Sequence, residues 1–252
     1  MITTQQIKDL RDQTQCPMME CKKALVESAG DFDAAKLLLR QKLGTIGDTK
    51  ESTGQEGLII LSGSPKFDPV LAQISTDTDF TAKNDTVIAK ANEIASALSV
   101  KYNVENMLAD LRSQTGENID LVRYEIAPEN ECGVYIHFDN KKAAIVWFEG
   151  DIDSKIRKRV AMHVVAASPE PKYVAMNDVP DSELEQERLL LESKAEGKPE
   201  VIRDKIVQGG LDKYRKTLAL LEQPLISDPK ITIAQFIGDA VITKFVRWQI
   251  GE

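Results

Sequence analysis

Few residues in this chain could do covalent chemistry. Its 252 residues include two histidines, His137 and His163, and three cysteines, Cys16, Cys21 and Cys132. A Cys–His nucleophile needs both side chains on one face. Cys132 and His137 fall in a run that reads as a strand, five residues apart, so they point to opposite faces. No CxxC, no paired-histidine metal spacing and no Gly-rich phosphate loop is present. The carboxylates are many but scattered over helix surfaces. The expectation is a protein that is not an enzyme, with no catalytic residue, no metal and no cofactor. That leaves recognition.

Two stretches carry chemistry of that kind. In "QISTDTDFTAKN", residues 73–84, six Thr, Ser or Asp residues surround a single large apolar ring, Phe80, between Asp79 and Thr81. Spacing leaves two readings open. Asp79 serves as an N-cap and Phe80 as a hydrophobic staple, or Phe80 is an exposed anchor for another protein. The second stretch is Met18-Met19 near Lys22 and Lys23. Met18 suits either a core or a contact. Adjacent helical positions lie about 100° apart, so both methionines do not readily enter one small core, and thioethers suit an adaptable contact. His137 fits a satisfied strand histidine, and His163 lies on an apolar helical stripe.

The elements that position these residues follow from periodicity and punctuation. Residues 1–44 read as three short helices. Thr3 with Gln6 offers a capping box, Pro17 opens the second helix, and Asp31 or Asp33 caps the third. Residues 45–57, rich in Gly and polar side chains, read as a linker. The core, 58–180, reads as a hairpin ("LIILSG", "PVLAQIST"), two helices, three further strands with an Asp139-Asn140 turn, and a helix from Ser154 to Ala167. Strands followed by packing helices occur twice, a weak internal repeat. Residues 181–226 read as an antiparallel helical hairpin or coiled coil, opened by a Ser182–Glu185 capping box and broken at Gly197-Lys198-Pro199. Residues 227–252 return as a helix and a strand. The fold class is α+β: a small three-helix domain, a two-part core and a protruding helical hairpin.

A net charge of -8 argues against a nucleic-acid surface, and no apolar run is long enough to span a membrane. The polar opening "MITTQQIKD" lacks the apolar region of a signal peptide, and sparse, odd-numbered cysteines suit a reducing compartment. A cytoplasmic protein is expected.

Six motifs in order resemble the bacterial elongation factor Ts family over nearly the whole chain. "MMECKKALVESAGDFDAA" is similar to its N-terminal Met-Met-Asp-Cys-Lys-Lys signature and "TDTDFTAKN" to its Thr-Asp-Phe-Val-Ala motif. "GENI" at 116–119, "AMHVVAASPEPKYV" at 161–174, "GKPEVIRDKIV" at 197–207 and "LLEQPLI" at 220–226 follow. The resemblance implies a translation elongation factor, a guanine-nucleotide exchange factor for elongation factor Tu, with a ubiquitin-associated-like N-terminal domain. By position it implies that Thr78, Asp79 and Phe80 enter the partner near its Mg²⁺ and phosphates. It also implies that Met18, Met19 and the neighbouring Lys22 touch another helix of that domain, and that His137 lies near the inserted ring. A homodimer or a 2:2 complex stays open as an assembly state.

The sequence departs from the family pattern at Thr76, Asp77 and Thr81, which stand for Cys, Glu and Val. Lys141 to Ala144 replace a glycine-containing turn, and Gly210 replaces an arginine. Two other roles compete with exchange: a non-catalytic partner-binding module, and a specialised paralogue acting as an assembly subunit.

Overall fold

Thr3 opens the first helix with the reciprocal pair expected of it. Its Oγ1 accepts from Gln6 N–H at 3.2 Å, and its own N–H donates to Gln6 Oε1 at 2.9 Å. The computed structural model describes residues 2–44, 55–62, 68–128 and 131–252. Most of the expected linker, 45–54, therefore lies outside the described residues. The three N-terminal helices are α1 (Thr4–Thr14), α2 (Met18–Glu27) and α3 (Phe32–Gly44). Asp31 caps α3, accepting from Asp33 N–H at 2.9 Å and Ala34 N–H at 3.0 Å.

Residues group into two compact units. The first runs to Pro128 and adds Phe138–Lys142 and Gln249–Glu252; the second takes Glu129–His137 and Ala143–Trp248. In the first, β1 (Glu56–Ser62), β2 (Val70–Thr76) and β3 (Asp120–Ile126) form an antiparallel sheet in that order. Three short helical segments accompany it: α4 (Asp79–Ala82), α5 (Asp85–Ser99) and α6 (Glu105–Thr115). Alternation sends Leu58, Ile60, Val70, Ala72 and Ile74 to one face, where Val87, Ala91, Ile94 and Leu98 of α5 meet them. Leu10, Cys21, Leu25 and Leu39 make a separate small core among α1–α3. Arg40 of α3 donates twice to Asp110 Oδ1 on α6, at 3.0 and 2.8 Å.

In the second unit, β4 (Cys132–Ile136), β5 (Lys142–Glu149) and β8 (Val241–Gln249) form a sheet in the order β4-β5-β8. Helix α7 (Ser154–Ala166) packs on it through Val160 and Val164. Here the chain also forms a β6–β7 hairpin (Pro224–Leu225 with Asp228–Thr232), which the sequence reading missed, and the short helix α10 (Ile233–Ile237).

Helices α8 (Asp181–Lys194) and α9 (Glu200–Leu218) share a small core of Leu184, Leu191, Val207, Leu211 and Leu218. The Ser182–Glu185 box does not form. Helix α8 starts earlier, behind Pro180, and puts Asp181 and Glu183 in its first turn, where carboxylates suit the dipole. Gly210, one of the departures, sits where a Cβ would come 2.6 Å from both Leu191 methyls, whereas Gly209 faces open space. Gly209→Ala is therefore expected to raise stability by about 0.5–1 kcal/mol. In urea denaturation Gly210→Ala gains less or loses, because Leu191 must move.

His163, on α7, is a structural residue. Its ring is 3% exposed, and Nε2 lies 2.9 Å from Gln223 Oε1 while Nδ1 accepts from Ile226 N–H at 3.3 Å. Gln223 in turn donates to the carbonyls of Pro169 and Thr217. A proton on Nδ1 would face another N–H, so this network holds the neutral imidazole. Burial pushes the His163 pKa below its usual 6.5, and the Gln223 bond only partly opposes the shift. A depressed folded pKa means stability is complete above the unfolded value and drains as pH falls below it. Stability is expected to fall as pH drops below about 6.5, by at most about 1.4 kcal/mol per pH unit. His163→Gln removes this dependence in pH-resolved urea melts.

Candidate protein-recognition site

Strand β2 ends at Thr76, and the chain must turn before α5. Thr78, not Asp79, caps the single helical turn α4: its Oγ1 accepts from Thr81 N–H at 3.3 Å. Asp79 occupies the first helical position instead. The N-cap reading of Asp79 is thereby corrected. So is the staple reading of Phe80, because the ring is 89% exposed. It belongs to none of the hydrophobic cores.

The corner beneath the ring is held from several directions. Glu117, from the "GENI" motif, accepts Thr78 N–H at 3.1 Å, Thr78 Oγ1–H at 2.7 Å and Thr81 Oγ1–H at 2.7 Å. Asn118 N–H donates to Asp77 Oδ2 at 3.2 Å, and Thr76 Oγ1 donates to the Thr78 carbonyl at 2.8 Å. The departures at Thr76, Asp77 and Thr81 thus supply bonds that fix the corner. A valine at 81 could not make the Glu117 bond.

Asp79 is held by charge. Lys83 approaches at 2.6 Å and Lys141 at 2.8 Å, and Lys141 also meets Glu56 at 2.7 Å. Lys141, then Lys83, keeps the Asp79 carboxyl below its ordinary range, so it stays ionised at neutral pH. Burial would lower the Lys141 pKa, but the bonds to Asp79 and Glu56 outweigh it and raise it.

The other expected contact residues belong to other segments of the chain. Met18 is 40% and Met19 62% exposed, so neither enters the core of Cys21 and Leu25. Lys22 is exposed too, and Val26, two helical turns beyond Met19, extends the apolar part of that face. His137 belongs to the second unit, where its Nδ1 lies 3.2 Å from Tyr135 Oη. Cys16, Cys21 and Cys132 are buried and in no disulfide, and burial pushes Cys16 and Cys21 up, away from a reactive thiolate. Among the described residues no three His, Cys, Asp or Glu side chains gather to hold a metal, and no helix is long and apolar enough to cross a membrane.

Sequence reasoning missed Glu117 as the clamp, although it sits within one of the motifs. Val26 carried no signal beyond its helical spacing.

Two comparisons bear on this geometry. The family described as Elongation factor TS matches residues 77–252, a span that begins within the corner and includes Phe80 and Glu117. The elongation factor Ts of Levilactobacillus brevis is 34% identical over 278 aligned positions, covering 100% of this chain and 92% of the relative.

Proposed function

This chain belongs to the elongation factor Ts family of translation elongation factors, and we propose that it is a cytoplasmic guanine-nucleotide exchange factor for elongation factor Tu. The observation that carries the reading is the Phe80 ring, 89% exposed on a corner whose own bonds are internal. A large ring held in water gains nothing for the fold, and a rigid mount spares the entropy of ordering it on contact. Thr78, Asp79 and Phe80 then enter the partner's nucleotide-binding domain beside its Mg²⁺ and phosphates, with His137 in the same contact. Met18, Met19 and Lys22 touch a second helix of that domain.

The work is thermodynamic. Binding that favours the nucleotide-free partner weakens nucleotide affinity by the same factor. Disturbing the phosphate loop and the metal removes charge-assisted contacts that hold the diphosphate, and no covalent step is required. The exchange factor is accordingly not an enzyme in the covalent sense.

Release of a fluorescent GDP analogue from elongation factor Tu, with and without this protein, tests the reading. Acceleration is expected in Mg²⁺, with a smaller fold-effect in EDTA, where the metal is already gone. An unchanged rate in both buffers would leave only a binding module. The Met18→Ala/Met19→Ala pair is expected to weaken partner affinity about tenfold with helical content intact, since hot-spot truncations cost about 1–2 kcal/mol. Unchanged affinity in a calorimetric titration removes α2 from the interface.

A further inference from the structure

Phe80 has a counterpart. Phe138 is 88% exposed, and the next large apolar side chain among the described residues, Val201, reaches only 68%. It stands at the turn between β4 and β5, beside Asp139, Asn140 and Lys141, where polar chemistry would be ordinary.

This turn is tied to the Phe80 corner within the first unit. Lys141 N–H donates to Asp139 Oδ1 at 2.9 Å, closing the turn on itself. Asn140 carbonyl accepts from Ile59 N–H at 2.8 Å and Lys141 carbonyl from Ile250 N–H at 2.9 Å. Lys141 Nζ reaches Asp79, the residue before Phe80, and Glu56. Glu56, Lys141, Asp79 and Lys83 form a chain of two acids and two bases. These four paired charges cancel, which lowers the cost of pressing them against an apolar surface. Two segments one ion pair apart fit inside a standard interface of about 800 Å² per partner.

We propose that Phe138 is a second aromatic anchor for the nucleotide-binding domain that receives Phe80, and that Lys141 is a positioning residue fixing the two rings relative to one another. The inference rests on the exchange-factor reading and adds a residue to its contact.

The test measures affinity for nucleotide-free elongation factor Tu by calorimetry, with Phe80→Ala, Phe138→Ala, the double variant and Lys141→Met, each checked by thermal melting. Phe138→Ala is expected to weaken binding about tenfold at an unchanged melting temperature, as truncated anchors do. Phe138→Leu, which keeps apolar bulk, retains most of the affinity and separates ring loss from misfolding. A coupling between Phe80→Ala and Phe138→Ala is expected that vanishes in Lys141→Met and survives in Lys141→Arg. A purely structural lysine would not move that coupling. Loss with Phe80→Ala but none with Phe138→Ala overturns this inference alone. No loss with either overturns the exchange-factor contact as well. Self-association abolished by Phe138→Ala, with partner affinity unchanged, would assign the ring to a second copy of the chain and also overturn it.

Discussion

Phe80→Ala is expected to cut stimulated GDP release more than tenfold while the protein melts where the parent does. The ring is 89% exposed, so its removal leaves no cavity and takes no contact from the hydrophobic cores. Core truncations of phenylalanine cost about 3–5 kcal/mol of stability, and this one should cost almost none. An anchor that fills a partner's pocket contributes about 2 kcal/mol or more to association, which is where the loss must appear. Stopped-flow release of a fluorescent GDP analogue, beside a circular-dichroism melt, reads both quantities. A variant that melts much earlier with near-normal exchange would make Phe80 a folding residue.

The second large effect is expected at Glu117, a residue the partner need not touch. Its carboxylate accepts three bonds from Thr78 and Thr81. Glu117→Ala leaves those donors to water and lets α4, only four residues long, reorient. A cost of about 1–2 kcal/mol in stability follows from losing hydrogen bonds to a half-buried carboxylate. The larger consequence is functional. A ring sampling several directions pays an ordering cost on contact, so exchange is expected to fall about tenfold. Glu117→Gln keeps an acceptor oxygen and should fall between the two. Exchange unchanged in Glu117→Ala would show that the corner's rigidity is irrelevant to the activity.

How much of this was legible in the sequence depends on the range over which each signal acts. The helices announced themselves through local spacing: Thr3 with Gln6, and Val87, Ala91, Ile94 and Leu98 on one stripe. Phe80 was conspicuous because turns are polar. Asp79 and Thr78 are both good caps, and only the backbone path chose Thr78. Ser182 and Glu185 satisfied a spacing rule but lost to a helix start set by Pro180. The β6–β7 hairpin was missed because β6, with two residues, has no measurable alternation. The clamp was hardest to see. Glu117 lies 39 residues from Thr78, and Lys141 lies still further along the chain from Asp79. Side-chain pairs across such separations leave no periodic trace, so Lys141 could be read only as a departure from the family's turn.

The central claim is that this protein spends its binding energy against the nucleotide, and linkage makes that directly measurable. Its affinity for elongation factor Tu is titrated twice, once with the partner nucleotide-free and once with it saturated with GDP. The account predicts tighter binding to the nucleotide-free form, by the same factor by which this protein weakens GDP affinity, with the difference shrinking in Phe80→Ala. Equal affinity for the two forms would contradict it, however tight that binding proved.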